Sequence, residues 1–206
     1  LLSIANPNQP IEVLLNLKQI SSICKLAKRY NTIVAIDEAY YHFCKVTAKK
    51  LINKHKNLIV IRTFSKAFGL AGLRIGYTIA DKTIIQYMMS IKTTYEINSV
   101  NMKFIKFFLN NIKIMQKYVS EVKKSRKFMQ NFVKENNLKI FGKYSNRVLI
   151  KVKNFDQAQL LHKKLYKKKF IVRPWKIDSS SYIACTLGSL KIMKKFSKEF
   201  KKILNI

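Results

Sequence analysis

A single lysine set among small, aromatic and apolar residues constrains this chain more than any other feature of its sequence. The segment Arg62–Tyr77 reads RTFSKAFGLAGLRIGY, follows the apolar run Leu58–Ile61, and contains Lys66. An ammonium group prefers water, so a lysine in these surroundings needs a reason. Desolvation lowers the pKa of a lysine, which makes it a usable nucleophile, and a lysine that forms a Schiff base with a carbonyl cofactor gives up its charge at the bond. The segment therefore predicts a reactive lysine just beyond a buried strand.

The residues around this lysine are suited to holding a phosphate, because they combine hydroxyl groups, glycines and a cation. They are Thr63, Ser65, Gly69, Gly72 and Arg74. An arginine makes strong charge-assisted hydrogen bonds to phosphate oxygens. The composition of the segment thus predicts a lysine beside a phosphate-binding loop.

Short apolar runs that alternate with a helical pattern predict an α/β fold. Leu1–Ala5 is typical of the end of a buried strand, Val13–Tyr30 has the apolar spacing of one helix face, and Thr32–Ile36 resembles a central parallel strand. Strand, helix and strand in this order form a βαβ unit. Further strands are predicted at Leu58–Thr63 and Leu73–Ala80, the latter beginning next to Arg74.

The rest of the chain is predicted to contain a helix capped by Asp81, a loop that holds Tyr95, two basic helices, and an α+β unit from Leu138 onward. The predicted helices are 82–90, 99–110, 112–136, 156–168 and 190–204, and the predicted strands are 138–141, 147–152, 170–173 and 182–187. The long helix has the length of a connector between two domains.

Composition and charge narrow the classes of partner. The net charge of +31 would suit nucleic acid, but only six of the forty-one basic residues are arginine and the lysines are scattered. We therefore interpret them as solvated helix faces and expect no specific nucleic acid. No apolar run has the length of a membrane span, and no signal segment opens the chain, so a cytoplasmic protein that lacks its N-terminal part is expected. The cysteines and histidines have no metal-like spacing, which predicts reduced thiols and no metal site.

The lysine segment resembles the motif of the fold-type-I pyridoxal-phosphate enzymes. It is most similar to that of the histidinol-phosphate aminotransferases, which reads R-T-x-S-K-A-F-x-L-A-G-L-R-x-G. The resemblance covers nearly the whole chain, because the segments 37–40, 145–146, 171–174 and 186–188 also match family landmarks. It implies a partial cofactor-binding large domain of mostly parallel sheet with helices on both faces (1–110), a connecting helix (111–137) and a small α+β domain (138–206).

The resemblance also implies the cofactor pyridoxal 5'-phosphate and a role for each matching residue. Lys66 would carry the cofactor as a Schiff base and move the substrate proton. Asp37 would meet the pyridine nitrogen, Tyr40 and Gln9 the phenolic oxygen, and Ser65 and Arg74 the phosphate. From the residues alone, Asp37 and Glu38 could instead both cap the following turn, and for Glu38 we expect such a structural role.

Two departures from the family pattern affect the predicted site. Gln9 stands where the family has asparagine, and Ala184 stands where it has the arginine that grips a substrate carboxylate. Either Arg173 or Arg147 replaces that arginine, or the substrate has no carboxylate; surface solvation is the alternative for both arginines. Together with Asn146 they are the predicted substrate-binding residues.

Three functions remain open on the sequence alone. The first is a homodimeric aminotransferase of amino-acid biosynthesis that uses a small-molecule amino donor and acceptor, one of them phosphorylated or hydroxylated. The second is a decarboxylase of the threonine-phosphate type, against which Ala184 counts because a decarboxylase also has to orient a carboxylate. The third is a basic protein without catalytic activity, either a truncated homologue or an RNA-associated one, which would bind nucleic acid with a steep salt dependence.

Overall fold

The computed structural model describes residues 1–93 and 96–205, and Thr94, Tyr95 and Ile206 lie outside the described part. The chain divides into two compact units. The first consists of residues 1–9 and 13–116, and the second of residues 10–12 together with the residues from 117 onward.

The first unit contains a mixed four-stranded sheet, which confirms the predicted α/β class. Its elements are β1 (Leu2–Ala5), α1 (Leu17–Arg29), β2 (Val34–Asp37), α2 (Tyr41–Cys44), β3 (Leu58–Thr63), β4 (Gly76–Ala80), α3 (Lys82–Ser90), α4 (Ser99–Asn110) and the start of α5 (Ile112–Glu135), with single turns of 3-10 helix at Ala48–Leu51 and Ala71–Leu73. The strand order is β1-β2-β3-β4, in which the first three strands are parallel and β4 is antiparallel to β3.

The core of this unit lies between α1 and the middle of the sheet. Ile36 and Val60 from the central strands are fully buried and belong to the same apolar cluster as Ile20 and Cys24 of α1. Burying an aliphatic side chain of this size contributes about 1.5–3 kcal/mol relative to leaving it exposed. The central strands are therefore packed against α1, and the predicted site residues follow at their carboxyl ends.

The start of α1 differs from the prediction by four residues. The predicted helix began at Val13, whereas α1 begins at Leu17 after the N-cap Asn16. The Asn16 side chain accepts a hydrogen bond from the Gln19 N–H at 3.0 Å, and the Gln19 side chain accepts one from the Asn16 N–H at 2.9 Å. This reciprocal capping box satisfies N–H groups that would otherwise lack partners, so it fixes the first turn at this point.

Two strands also differ from their predictions. β1 was expected to be buried, but it lies at the edge of the described sheet, pairs only with β2, and is largely exposed. The strand predicted from Leu73 begins instead at Gly76, because a 3-10 turn ends at Leu73 and Arg74 adopts a left-handed conformation with φ of 54°. A Cβ at Gly76 would lie 2.6 Å from the Arg62 carbonyl oxygen, so only glycine allows this approach of the two strands.

The second unit is built on an antiparallel sheet. Its elements are the rest of α5, β5 (Ile140–Phe141), β6 (Arg147–Val152), α6 (Phe155–Lys167), β7 (Arg173–Ile177), β8 (Ser180–Thr186) and α7 (Leu190–Leu204), and the strand order is β5-β6-β8-β7. The strand predicted at 170–173 is wrong, since β7 only begins at Arg173. The apolar run before it suggested a strand, but the pairing with β8 starts opposite Ala184. Pro174 is tolerated in β7 because an edge strand has one unpaired side.

A buried histidine in the first unit makes its stability depend on pH. His55 is buried, and its Nε2 lies 2.8 Å from the Ser21 hydroxyl. Burial, and then the charges of Lys54, Lys25 and Lys28, hold the pKa of His55 below its ordinary value of 6.5. The unfolded chain therefore binds this proton more readily than the folded chain does. The contribution of neutral, buried His55 to the free energy of unfolding is complete above pH 6.5 and is lost as the pH falls below 6.5.

We expect the thermal unfolding midpoint of the chain to decrease as the pH is lowered from 7 to 5. His55→Gln should flatten this dependence, because glutamine can still bond to Ser21 but does not take up a proton in this range. Unfolding followed by circular dichroism at several pH values checks this. An equally steep dependence in both proteins would show that His55 is not responsible.

Candidate active site

The carboxyl ends of two neighbouring parallel strands bring the predicted catalytic residues to one edge of the sheet. Asp37 is the last residue of β2, and Lys66 follows the end of β3 by three residues. This edge is where open α/β sheets bind their ligands. A cavity of about 370 Å³ lies there, lined by Asp37, Ala39, Ile61, Arg62, Thr63, Ser65, Lys66, Arg74, Ile75 and Gly76. The structure thus gathers Lys66, Asp37, Ser65 and Arg74 around one cavity.

Lys66 lies in a tight loop with aromatic neighbours. The loop closes through hydrogen bonds from the Gly69 N–H to the Lys66 carbonyl oxygen and from the Leu70 N–H to the Phe64 carbonyl oxygen, each 3.1 Å long. Gly69 has φ of +71°, a conformation that favours glycine. The Lys66 side chain is half-buried rather than fully desolvated, and its Nζ lies 5.5 Å from the centroid of the Tyr40 ring.

Asp37 presents a carboxylate to this cavity from the end of β2. Its Oδ1 accepts a hydrogen bond of 2.9 Å from the Ala39 N–H, so part of the side chain holds the following turn. A carboxylate can accept about four hydrogen bonds, and one backbone bond leaves most of this capacity. Asp37 can therefore hold the turn and still bind a cationic group in the cavity.

The groups predicted to hold a phosphate are only partly gathered at this cavity. The Ser65 N–H donates to Thr63 Oγ1 at 3.0 Å, and the exposed Arg74 donates from Nη1 to the Ala71 carbonyl oxygen at 3.1 Å, which leaves its other donors for a ligand. Gly69 and Gly72 do not line the cavity. A lysine amine, a carboxylate, a hydroxyl and a guanidinium nevertheless form a donor set that fits a phosphorylated pyridine aldehyde.

Tyr40 and Gln9, the residues predicted for the phenolic oxygen, do not line this cavity. Tyr40 is buried, and the centroid of its ring lies 5.5 Å from the Lys66 ammonium. Gln9 is half-buried in the loop after β1. Their predicted contacts with a cofactor therefore stay predictions.

The second unit has a separate cavity of about 440 Å³ that contains both predicted substrate arginines. It is lined by Arg147, His162, Ile171, Val172, Arg173, Pro174, Trp175, Ala184 and Thr186. Arg173 on β7 pairs with Ala184 on β8, and Arg147 on β6 pairs with Thr186 on β8. Because Ala184 and Thr186 are two residues apart on one strand, both arginines lie on the same face of the sheet as Ala184. Asn146 is not a lining residue, and its Nδ2 donates to the Tyr118 hydroxyl at 3.1 Å.

Sequence reasoning missed a buried ion pair beside the first cavity. Arg62 donates from Nε to Glu38 Oε2 at 3.0 Å, and both side chains are almost completely buried. We expected Glu38 to cap the turn that follows it. Its side chain instead accepts a hydrogen bond of 2.5 Å from the Ala48 N–H, at the start of a 3-10 turn. Burial raises the pKa of Glu38, while the Ala48 N–H, Thr47 and Arg62 oppose this shift. The available signal was an arginine within the otherwise apolar strand β3.

A lysine and an aspartate at the carboxyl edge of a mixed sheet fit the class of α/β enzymes that bind a cofactor through a lysine and an acidic partner. The chain belongs to the aminotransferase class I and II family, whose model matches residues 1–191. This confirms the resemblance drawn from the lysine segment and the cofactor of the family, pyridoxal 5'-phosphate.

Known relatives agree with this assignment. The chain is 35% identical over 206 residues to the histidinol-phosphate aminotransferase of Brachyspira hyodysenteriae, covering 98% of the chain and 57% of that protein. The histidinol-phosphate aminotransferase structure from Clostridium acetobutylicum has a TM-score of 0.84 at 25% identity over 98% of the chain and 63% of its own. The Sinorhizobium meliloti enzyme, solved in complex with pyridoxal-5'-phosphate, shares the fold with a TM-score of 0.81 at 20% identity over 98% and 56%.

The chain spans about half the length of the curated relatives that it matches. Among the residues that the structure describes, no helix is both long and apolar enough to cross a membrane.

Proposed function

We propose that this chain carries the reactive lysine of a pyridoxal-phosphate-dependent aminotransferase. The full-length protein would transfer an amino group to or from a small phosphorylated or hydroxylated substrate, as the resemblance to histidinol-phosphate aminotransferases implies. The observation that carries the proposal is that Lys66 and Asp37, which are distant in sequence, line one cavity at the edge of the sheet.

Four residues at this cavity would have distinct tasks in the proposed reaction. When bound, the cofactor supplies an electron sink for the substrate carbon. The Asp37 carboxylate favours a protonated pyridine nitrogen by its charge. Lys66 Nζ holds the cofactor covalently at rest and then moves a proton at the substrate carbon. Ser65 and Arg74 bind the phosphate.

The cavity of the second unit is proposed to bind an anionic group of the substrate. Ala184 leaves no cation on β8 itself, whereas Arg173 is its direct cross-strand neighbour and Arg147 lies on the same face. Side chains in this relation lie about 4.5–5.5 Å apart at Cβ, so the Arg173 side chain can take over the place of a missing arginine on β8. Asn146 is proposed to contribute a further polar contact with the substrate.

The proposal includes a small-molecule amino donor and acceptor, and a cytoplasmic homodimer for the full-length protein. The family match and the relatives do not favour the decarboxylase alternative. The test is amino transfer by the full-length gene product, measured as glutamate formed from 2-oxoglutarate with histidinol phosphate as donor. Binding of pyridoxal phosphate without any amino transfer to 2-oxoglutarate would overturn the aminotransferase assignment.

Substitutions on β8 and its neighbours should show which cation binds the substrate anion. Arg173→Ala should lower kcat/KM by roughly tenfold to a thousandfold, because two charge-assisted hydrogen bonds of about 1.5–3 kcal/mol each are lost and water replaces part of them. Ala184→Arg should then also reduce turnover, since the added side chain competes with Arg173 for the same space.

Steady-state kinetics with histidinol phosphate and with glutamate measure these effects, and Arg147→Ala is compared in the same assays. Arg29→Ala is the matched control, because Arg29 lies exposed in the last turn of α1 in the first unit. If Ala184→Arg increases turnover with glutamate, no residue has replaced the family arginine. Unchanged kinetics in all three cavity variants would mean that this cavity does not bind substrate.

A further inference from the structure

The buried pair Glu38 and Arg62 joins the two chain segments that carry the candidate catalytic residues. Glu38 directly follows Asp37, and Arg62 precedes Lys66 by four residues. The side chains expose 0% and 9% of their surface, and Arg62 Nη2 lies 3.0 Å from Glu38 Oε2. Arg62 lines the cavity, but neither residue has a chemical task in the proposed reaction, so the presence of this buried pair needs another explanation.

The pair forms a polar network with the Thr47 hydroxyl. Glu38 Oε2 also accepts from the Thr47 hydroxyl at 2.9 Å, and Arg62 Nη2 donates to Thr47 Oγ1 at 2.7 Å. The Arg62 guanidinium carbon lies 3.6 Å from the centroid of the Tyr41 ring, which belongs to the segment that follows Asp37. Arg62 therefore contacts the segment that follows β2 in two ways, through the Glu38 carboxylate and through the Tyr41 ring.

Stability alone does not account for such a pair. Removing two charges from water costs free energy that their attraction barely recovers, and apolar replacements of similar shape are often equally stable. A planar guanidinium with several bonds in a fixed geometry does, however, restrict how two segments can lie relative to each other. Side chains that act in catalysis have to be held within about 0.5 Å of a productive position.

We propose that Glu38 and Arg62 are positioning residues that hold the carboxyl ends of β2 and β3 in one arrangement, and thereby set the placement of Asp37 relative to Lys66. The inference rests on the proposed function for its catalytic consequence. Its structural part is that the order of the loop from Phe64 to Leu70 depends on the ion pair. This part does not require the cofactor.

The decisive variant is the double substitution Glu38→Gln with Arg62→Met. Glutamine still accepts from the Ala48 N–H, and methionine still packs on the Tyr41 ring, but both charges and the fork-shaped bonds are removed together. We expect an unfolding midpoint close to that of the wild type. Arg62→Met alone should unfold more easily, because it leaves the Glu38 carboxylate buried without its cation.

Hydrogen exchange followed by mass spectrometry of the 206-residue chain without cofactor tests the positioning. In the double variant, the amides of Gly69 and Leu70, which close the lysine loop, should exchange about tenfold faster. The central residues of β2 and β3 and helix α6 should be unchanged. The proposal is overturned if the loop exchanges as in the wild type, or if β2 and β3 become faster by the same factor as the loop.

The second readout is the rate at which pyridoxal phosphate bonds covalently to Lys66 in the full-length protein, followed by absorbance. This rate should fall about tenfold to a hundredfold in the double variant, since misplacement by about 1 Å can cost a hundredfold. If the wild type forms no such bond, the proposed function of the chain fails, while hydrogen exchange still decides the positioning role. If the loop exchanges faster but the rate of covalent attachment to Lys66 is unchanged, the ion pair does not set the placement of the candidate catalytic residues.

A second ion pair provides the matched control. Lys56 and Asp81 form a contact of 2.5 Å in the same unit, and Lys56 is exposed. Lys56→Met with Asp81→Asn removes one positive and one negative charge, as the variant at Glu38 and Arg62 does, and it should leave both readouts unchanged. If the double variant at Glu38 and Arg62 does not fold, Arg62→Lys replaces it. Arg62→Lys keeps the positive charge but lacks the planar guanidinium, so it should fold and still show faster hydrogen exchange in the lysine loop. Exchange as slow as in the wild type would overturn the proposal.

Discussion

Lys66→Ala is expected to abolish both the covalent attachment of pyridoxal phosphate and amino transfer by the full-length protein. Within the described part of the chain, Lys66 is the only lysine that lines the cavity next to Asp37, so no other amine of these residues can replace it. Alanine removes the group that forms the covalent bond and the group that moves the proton. The expected loss in turnover is therefore several orders of magnitude, because residues of this kind act as a unit with the rest of the site.

The fold should be unaffected by this substitution. The loop around Lys66 is held by backbone hydrogen bonds from the Gly69 N–H to the residue 66 carbonyl oxygen and from the Leu70 N–H to the Phe64 carbonyl oxygen, which alanine retains. Absorbance of the bound cofactor, turnover and thermal unfolding are the three measurements. Lys103→Ala, an exposed position on α4, is the control and should behave as the wild type. Cofactor attachment that persists in Lys66→Ala would refute the assignment.

Asp37→Asn should lower turnover by about a hundredfold or more while the protein remains as stable as the wild type. The amide oxygen can still accept the bond from the Ala39 N–H that now holds the turn. The negative charge that favours a protonated pyridine nitrogen is lost, and removing one preorganised electrostatic contact typically costs 10²–10³ in kcat, so about this much is expected here. Turnover should therefore fall in this variant while the thermal unfolding midpoint stays unchanged.

Glu38→Gln is the neighbouring comparison, and its main effect should be on stability. Glutamine keeps the bond to Ala48 but leaves the buried Arg62 guanidinium without its carboxylate partner. We expect a lower unfolding midpoint and a smaller loss of turnover than in Asp37→Asn. Equal activity losses in the two variants would show that the acid facing the cofactor has been misidentified.

Much of the architecture could be predicted from the sequence because apolar runs mark the buried strands directly. β3 and β6 were predicted at their observed bounds, and α7 begins and ends where its amphipathic pattern does. The start of α1 could not be placed by periodicity, since apolar spacing continues to Val13 while the capping box decides the first turn. β7 was misplaced because strand pairing, not the local apolar run, sets where a strand begins.

The candidate site was predictable in its members but not in its surroundings. The strand-end positions of Asp37 and Lys66 follow from the βαβ order, because parallel strands end at the same edge. The partnership of Glu38 with Arg62 could not be predicted, since it joins residues 24 apart through side chains that meet only in the fold. The relation of Arg173 to Ala184 likewise depends on the register of β7 with β8.

Borohydride reduction of the full-length protein with bound pyridoxal phosphate, followed by peptide mapping, tests most directly whether Lys66 carries the cofactor. Reduction makes the bond between the cofactor and its lysine permanent, so the modified residue can be identified by mass spectrometry. The chain has many other lysines, and each of them is an internal control for unspecific labelling. We expect stoichiometric label on Lys66, whereas label concentrated on any other lysine, or spread evenly over the remaining lysines, would contradict this role.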